Sequence, residues 1–347
     1  MPKIIKINNK LIGVGQPVFI IAEAGVNHNG KFSMALKLVD AAKKAGADAV
    51  KFQTFNTEEV VVCNAKKESY MKTNDKNQHQ MLKRLELSAS EFKKLAVYCA
   101  KKKIIFLSTP SERGNADFLE DLGVGAFKIG SGDITHIPLI SHIAKKGLPI
   151  IISTGASYIH EISEAVRVIK AQGNNDIILL HCTSFYPAPY DQINLRALMT
   201  LQRKFKVPVG YSDHTLGSEV SVGAVALGAC VIEKHFTLSR KLAGPDHKAS
   251  LEPLELKDLV SKIRNLEQAL GSSVKQPAKV EREERTLGRR SIVANTAIKK
   301  GIGIQKTMLG IKRPGTGLVP KYLSKVIGKK ARRALKKDSL IKWSDII

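Results

Sequence analysis

Eight short apolar runs punctuate the first ~270 residues: Val18–Ala22, Ala47–Val50, Ile104–Leu107, Gly125–Ile129, Pro149–Ile152, Ile177–Leu180, Val207–Gly210 and Ala229–Ile232. Apolar runs of this length suit strands buried on both faces. Between them, apolar residues recur at helical spacing. After the first run, Ala35, Leu38, Val39 and Ala42 share one helix face, and Gly46 supplies a C-cap. A long polar insertion follows the second run and leads to Ser88-Ala-Ser-Glu91, a capping box, with Phe92, Leu95, Ala96 and Cys99 on one face behind it. The last helix of the series is expected at Pro253–Leu270. Eight strand–helix units in this length predict an α/β fold, a (β/α)8 TIM barrel over residues 1–270, rather than a doubly wound sheet.

The pattern then changes. Gly271–Lys279 (GSSVKQPAK) reads as a linker with Val280–Arg285 as its charged continuation, so that residues 271–286 separate two domains. From Ser291 to Ile347 short apolar pieces alternate with glycines, as in KKGIGI and MLGIKRPGTGL. Residues 287–347 are therefore expected to form a small β-rich module that leans on a larger neighbour for stability.

Every one of the eight runs ends in polar groups, and in a barrel the C-terminal strand ends form the working face. The first ends in Glu23, the second in Lys51 and Gln53, the third in Ser108-Thr109-Pro110. The fourth gives Lys128, Ser131 and Asp133, the fifth Ser153-Thr154-Gly155, the sixth His181, Thr183, Ser184 and Tyr186. The last two end in Ser212-Asp213-His214 and Glu233-Lys234-His235. One polar strand end means little, but eight of eight is hard to explain as packing. Two neighbouring strands ending in His214 and His235 would place two imidazoles at one rim, suited to a divalent metal. Lysines closing buried strands are costly unless an anion pairs them. With the hydroxyls of Thr109, Ser131, Ser153, Ser184 and Ser212, and Gly130, Gly132 and Gly155 nearby, Lys51 and Lys128 describe a pocket for phosphate plus carboxylate. Glu23, acidic within that pocket, can position or deprotonate a water. Asp246, in the loop Gly244–His247, can reach the same rim as a hydroxyl acceptor.

Charge and cysteines narrow the partners. The formal net charge is +25, concentrated beyond Lys275, where 20 Lys/Arg face 5 Asp/Glu. That basic stretch holds one Trp and one Tyr, little surface for stacking bases, so it is read as solvated and anion-steering rather than nucleic-acid binding. Cys63, Cys99, Cys182 and Cys230 are scattered without a CxxC, as expected of a reduced cytoplasmic protein. The N-terminal MPKIIKINNK has no apolar core for a secretory signal, and no run approaches the ~20 apolar residues of a membrane span.

The segments IAEAGVNHNG, VKFQTF, FLSTP, FKIGSGD, ISTGAS, GYSDHT, IEKHFT and GPDHKASLEP, in this order, resemble the sialic acid (N-acetylneuraminate) synthases and their legionaminic and pseudaminic relatives. The resemblance continues through ERTLGRRSIVA and IKRPGTGL into what looks like the family's C-terminal SAF (antifreeze-like) domain. It implies condensation of phosphoenolpyruvate with an N-acylated mannose-type sugar, first N-acetylmannosamine, alternatively a diacetamido-trideoxyhexose. It further implies that Lys51, Thr109, Lys128, Ser131, Ser153, Ser184 and Ser212 hold phosphoenolpyruvate, and that His214 and His235 hold Mn²⁺ or Mg²⁺. Gln53, Asp133, Tyr186, Asp246 and Arg313 would address the sugar, with Arg313 reaching the other subunit of a domain-swapped homodimer. Some relatives carry Asn at the position of Ser184 or Glu at that of Asp133, which touches sugar selectivity rather than phosphoenolpyruvate binding. Some legionaminic-type relatives carry an acidic residue at that of Phe185, a departure that weakens the legionaminic reading. Two other classes fit parts of the pattern: a Schiff-base aldolase, which needs no metal, and a non-enzymatic carbohydrate-binding protein built on the C-terminal module.

Overall fold

In the computed structural model, which describes residues 3–71 and 73–347, the eight apolar runs form eight parallel strands. A short N-terminal hairpin, β1 (Ile5–Ile7) and β2 (Lys10–Ile12), precedes them. The barrel strands are β3 (Phe19–Gly25), β4 (Ala49–Thr54), β5 (Ile105–Pro110), β6 (Phe127–Ile129), β7 (Ile150–Ser153), β8 (Ile177–Cys182), β9 (Val209–Asp213) and β10 (Val231–His235). Their order around the sheet is β5-β4-β3-β10-β9-β8-β7-β6. The first and last strands, β3 and β10, pair with each other, while β5 and β6 pack side by side with no ladder among the described residues. The barrel is thus closed but for one seam.

Alternation along each strand divides its side chains between two cores. On β3, Ile20, Ala22 and Ala24 face the helices and pack with Ala35, Leu38, Val39 and Ala42. Phe19 and Ile21 point inward and share an interior cluster with Leu107, Ile151, Ile178 and Val231. Ile5, Ile7 and Ile12 of the N-terminal hairpin complete that interior cluster. The hairpin is absent from the sequence reading because its strands have three residues each, too short to register as runs. Its signal is nonetheless present in Asn8-Asn9, with Asn8 in the left-handed region that hairpin turns demand (φ +50°).

The expected helices form where the sequence places them. Phe32–Ala45 ends at Gly46, which takes φ +90°. Ala89–Lys102 begins with the reciprocal Ser88–Glu91 cap and buries Phe92, Leu95 and Cys99, with Ala96 half-buried. Pro253–Leu270 closes the series. The chain divides into two units, Met1–Gly271 and Ser272–Ile347. In the second, β11 (Ser291–Ala294) and β12 (Leu309–Lys312) pair antiparallel over a small core of Ile292, Ile298, Ile304, Val326, Leu335 and Ile341. Within the stretch read as a charged linker, Arg282–Leu287 is helical. Among the described residues no helix is long and apolar enough to cross a membrane, and all four cysteines are free.

A buried ion pair lies outside the barrel, on the helix-facing side of the two histidine strands. Lys234 and Asp213 pair at 2.9 Å with both side chains fully buried. The Lys234 ammonium also donates to the Thr215 carbonyl (2.6 Å), and Asp213 accepts from the Thr215 amide and hydroxyl and from Ser221. Removing one partner would leave a buried charge uncompensated. Lys234→Met should therefore lower unfolding free energy by about 3–5 kcal/mol in chemical denaturation, and adding Asp213→Asn should recover part of the loss. A single variant as stable as the wild type would contradict this account.

Candidate active site

At the C-terminal end of the barrel strands lies a cleft of about 450 Å³. It brings together Glu23, Lys51, Gln53, Thr109, Lys128, Ser131, Asp133, Ser153, Ser184, Tyr186, Ser212, His214 and His235. These residues span more than two hundred positions of sequence, and strand register is what assembles them. Glu23 is paired across the ladders with Lys51 on one side and His235 on the other. Gln53 sits opposite Thr109, and Glu233 opposite Ser212. Several strands run further than their apolar cores suggest, so Glu23, Lys51, Gln53, Thr109 and His235 lie within strands rather than on loops after them. Alternation then sorts the two histidine-bearing triplets: Ser212, His214, Glu233 and His235 line the cleft, whereas Asp213 and Lys234 form the outward pair described above.

Four buried charges form the floor. Lys51 pairs with Glu23 at 2.8 Å and lies 3.8 Å from Glu233, and Lys128 lies 3.5 Å from Glu233. Lys51 also donates to Thr109 (3.1 Å), Lys128 to Ser153 (2.8 Å), and Ser212 to Glu233 (3.0 Å). Burial pushes the Glu23 carboxyl up to about 7; Lys51 pulls it down and Glu233 pushes it further up. Burial works against the charge of Glu233 too, yet Lys128 and Lys51 hold it below the usual carboxylate range. Burial, with Lys51 adding to it, lowers Lys128, whereas Glu23 and Glu233 overcome burial to raise Lys51. Two cations, two anions and a ring of hydroxyls make a site in which an incoming anion can take over the lysines.

The histidines adjoin this floor, His235 beside Glu23 in the ladder. Their rings are 5.4 Å apart between centroids and nearly perpendicular, and the Tyr186 ring stacks on His214 at 4.0 Å. His214 Nδ1 lies 2.8 Å from the Thr183 carbonyl, a contact that fixes Nδ1–H as donor and leaves Nε2 with its lone pair. His235 Nδ1 is buried without a hydrogen-bond partner, its nearest acid being Asp246 at 3.8 Å. Burial and the neighbouring cationic groups keep His235 well below the usual imidazole range, hence neutral. Burial raises Asp246 to about 6, with His214 opposing. Two neutral-capable imidazoles, one with an orphaned nitrogen, beside a carboxylate are a donor set that fits a divalent cation.

Arg313 belongs to the second unit, where it is exposed on the loop after β12. Glu233, Cys182, Glu68 and Tyr70 also line the cleft, and the sequence reading gives none of them a role in the site. Glu233 follows from its own strand, since it stands two residues before His235 and must share its face. Cys182 lies opposite Ser212 in the ladder, 3.7 Å from His214 Nδ1. Burial opposes charge on both Cys182 and His214, but each shifts the other toward its charged form. Glu68 and Tyr70 come from the polar insertion after β4, which has no periodic signal; Tyr70 packs on Tyr186 at 4.9 Å.

Two glycines admit this geometry. Gly25 takes φ +51° at an irregularity in the β3–β4 ladder, and a β-carbon there would stand 3.3 Å from the Glu23 carboxylate. At Gly155 a β-carbon would stand 2.2 Å from the Ser184 hydroxyl and 2.8 Å from that of Ser131, which the Gly155 amide meets at 3.0 Å.

Comparison with known proteins gives a consistent result. Residues 38–275 match the model of the NeuB family, and residues 289–347 that of the SAF domain. The chain is 47% identical to the N,N'-diacetyllegionaminic acid synthase of Campylobacter jejuni, over 93% of this chain and 98% of that protein. It is 46% identical to the enzyme of the same name from Legionella pneumophila, over 98% of both chains. Among solved structures, the N-acetylneuraminic acid (sialic acid) synthetase of Leptospira borgpetersenii serovar Hardjo-bovis, in complex with citrate, superposes with a TM-score of 0.74 at 40% identity, covering 82% of this chain and 95% of that one.

If the hydroxyls around Gly155 hold an anion, crowding them should abolish that hold. Gly155→Ala is expected to lose about 1–3 kcal/mol of stability through overpacking and, in thermal unfolding, to lose the rise in Tm that inorganic phosphate gives the wild type. An undiminished phosphate response in the variant would place the anion elsewhere.

Proposed function

Because the chain belongs to the NeuB family and carries a SAF domain at its C-terminal end, we propose that it condenses phosphoenolpyruvate with N-acetylmannosamine to give N-acetylneuraminate and phosphate. It is a synthase of the nonulosonic acid class, a transferase of the phosphoenolpyruvate-derived unit. The observation that carries the reading is the pair of buried lysines, Lys51 and Lys128, ringed by hydroxyls in one cleft with Glu23 and two histidines.

In this reading Lys51, Lys128, Thr109, Ser131, Ser153, Ser184 and Ser212 hold the phosphate and carboxylate of phosphoenolpyruvate. The anion takes the place that Glu23 and Glu233 fill as partners of the two lysines. His214 and His235 would hold Mn²⁺ or Mg²⁺, which when bound supplies Lewis-acid polarisation of the sugar aldehyde. Gln53, Asp133, Tyr186 and Asp246 orient the open-chain sugar from the same face. The C=C pair of phosphoenolpyruvate forms a bond from its methylene carbon to the aldehyde carbon, and positive charge develops at C2. The aldehyde oxygen becomes an alkoxide that ends as a hydroxyl by taking up the proton that the attacking water releases through Glu23. A water adds at C2 and gives a proton to Glu23, whose carboxyl, raised to about 7, is matched to that transfer near neutral pH. The tetrahedral adduct then breaks the C2–O bond to phosphate while its C2 hydroxyl becomes the carbonyl, the hydroxyl proton leaving with the phosphate, whose charge the lysines balance.

A second reading has its own support. The identity with N,N'-diacetyllegionaminic acid synthases is substantial, and beside the cleft a recess of about 280 Å³ is walled by Tyr70, Phe185, Tyr186, Pro187 and Pro245 together with Ser69 and Lys248. Such a wall suits a deoxy carbon and a second acetamido group better than a hydroxylated chain. Phosphate release from phosphoenolpyruvate, measured with N-acetylmannosamine and with diacetamido-trideoxyhexoses of manno and altro configuration, tests both. Turnover with N-acetylmannosamine is the expected result; turnover confined to a diacetamido sugar selects the second reading; release with none overturns the synthase mechanism. Chelation should abolish turnover and Mn²⁺ or Mg²⁺ restore it.

We further propose that the enzyme is a homodimer in which Arg313 completes the partner's site by hydrogen-bonding the sugar's N-acyl carbonyl. An arginine in a Gly/Pro-rich loop (IKRPGTGL) on a separately folded unit is suited to such an exchange. Glu23→Gln and Arg313→Ala should each be inactive alone. Mixed with subunit exchange, they should recover about a quarter of wild-type activity, since half the dimers are mixed and each holds one intact site. No recovery would mean that the loop serves its own chain.

A further inference from the structure

We propose that Glu58, Cys63 and His79 form a second metal site, separate from the catalytic cleft and selective for Zn²⁺ or a similar borderline ion, at the base of the insertion that follows β4. One ligating atom from each of the three lies within 4.8 Å of the others, and His79 Nε2 is 3.0 Å from a Glu58 oxygen. Tetrahedral zinc with Zn–N, Zn–O and Zn–S bonds of about 2.0–2.3 Å sets its ligands about 3.5 Å apart, so small side-chain rotations suffice. Thiolate, imidazole and carboxylate, with water for the fourth position, form a set that favours zinc or cobalt and suits magnesium poorly. The three ligands share no residue with the histidine pair of the cleft.

The backbones carrying the three ligands are held in place. Asn77 caps the helix Gln78–Leu85 by accepting from the Gln80 amide (2.9 Å), while its own amide donates to the Cys63 carbonyl (2.8 Å). The Gln78 amide donates to the Ala65 carbonyl (3.0 Å). Asn56 caps the turn bearing Glu58 (3.3 Å), and the Thr57 amide donates to Glu86 (2.7 Å). Lys83, 3.6 Å from Glu58, has a second partner in Glu86 at 3.3 Å and can keep that one when a metal takes Glu58. The chain between Cys63 and His79 delivers Glu68 and Tyr70 to the catalytic cleft. A metal joining Cys63, Glu58 and His79 would clamp both ends of this segment and hold Tyr70 against Tyr186.

The test uses the full-length, metal-stripped protein and does not depend on the identity of the sugar. On titration with Co²⁺ the wild type should develop the near-ultraviolet charge-transfer absorption of a thiolate–cobalt bond. Cys63→Ser should lose that absorption and bind about one fewer equivalent of Zn²⁺ per chain in equilibrium dialysis, and His79→Gln should bind zinc at least tenfold more weakly at this site. Cys182→Ser, which removes the thiol beside His214, should keep the absorption. Zinc should also slow trypsin cleavage after Lys66 several-fold in the wild type and not in Cys63→Ser. Absorption that survives Cys63→Ser, equal zinc stoichiometry in the two proteins, or cleavage indifferent to zinc would overturn the proposal. Phosphate release is read separately, so a failed sugar assignment leaves these outcomes unchanged.

Discussion

Glu23, Lys51, Glu233 and Lys128 are each nearly inaccessible to water, and none could stay charged there alone. An isolated buried ion costs several kcal/mol even after relaxation. Glu23 and Lys51 are tolerated because the β3–β4 ladder sets them opposite each other at 2.8 Å. Glu233, placed by the β10–β3 ladder, is tolerated because Lys51 lies 3.8 Å away and Lys128, reaching in from β6, 3.5 Å. The active cleft therefore depends on a register. A slip of one residue in either ladder would send Glu23 or Lys51 toward the helices and their apolar neighbours into the cleft. The apolar halves of the same strands are packed on both faces and prevent that slip.

The same alternation divides labour within the two histidine-bearing triplets. The even-numbered pair in one (Ser212, His214) and the odd-numbered pair in the other (Glu233, His235) face the chemistry. The residues between, Asp213 and Lys234, tie the strands together on the far side. Stability and reactivity thus occupy adjacent positions without sharing a face. It follows that Asp213, though it sits between two site residues, has its carboxylate committed to Lys234, Thr215 and Ser221 and unavailable to a substrate.

Much of this is legible in the sequence. Apolar runs four or five residues long, each ending in polar groups, identified the barrel and the end at which its chemistry gathers. The runs understated strand length because polar residues such as Gln53 and Thr109 continue the ladder once a cleft receives their side chains. The N-terminal hairpin escaped because three-residue strands carry almost no periodicity, although the barrel interior is incomplete without Ile5, Ile7 and Ile12. Tyr70 escaped for a different reason. It sits in a loop whose position is fixed by capping side chains and by Tyr186, contacts that are long-range and leave no pattern along the chain. Glu233 needs only the period of two along a strand, which puts it on the face of His235 two residues on.

The ladder joining β3 to β10 has a consequence for how the molecule is made. Glu23 leaves the ribosome about 200 residues before His235, its neighbour in the sheet. At about 5–20 residues per second, that is a wait of about 10–40 s. Throughout it, one edge of β3 has no partner, and the apolar residues of β3 and the N-terminal hairpin have only part of their core. Contacts so distant in sequence also make for slow closure once the chain is complete. The growing polypeptide thus presents an adhesive edge for most of its synthesis, and chaperone engagement of the nascent chain should concentrate on the interval before β10 emerges.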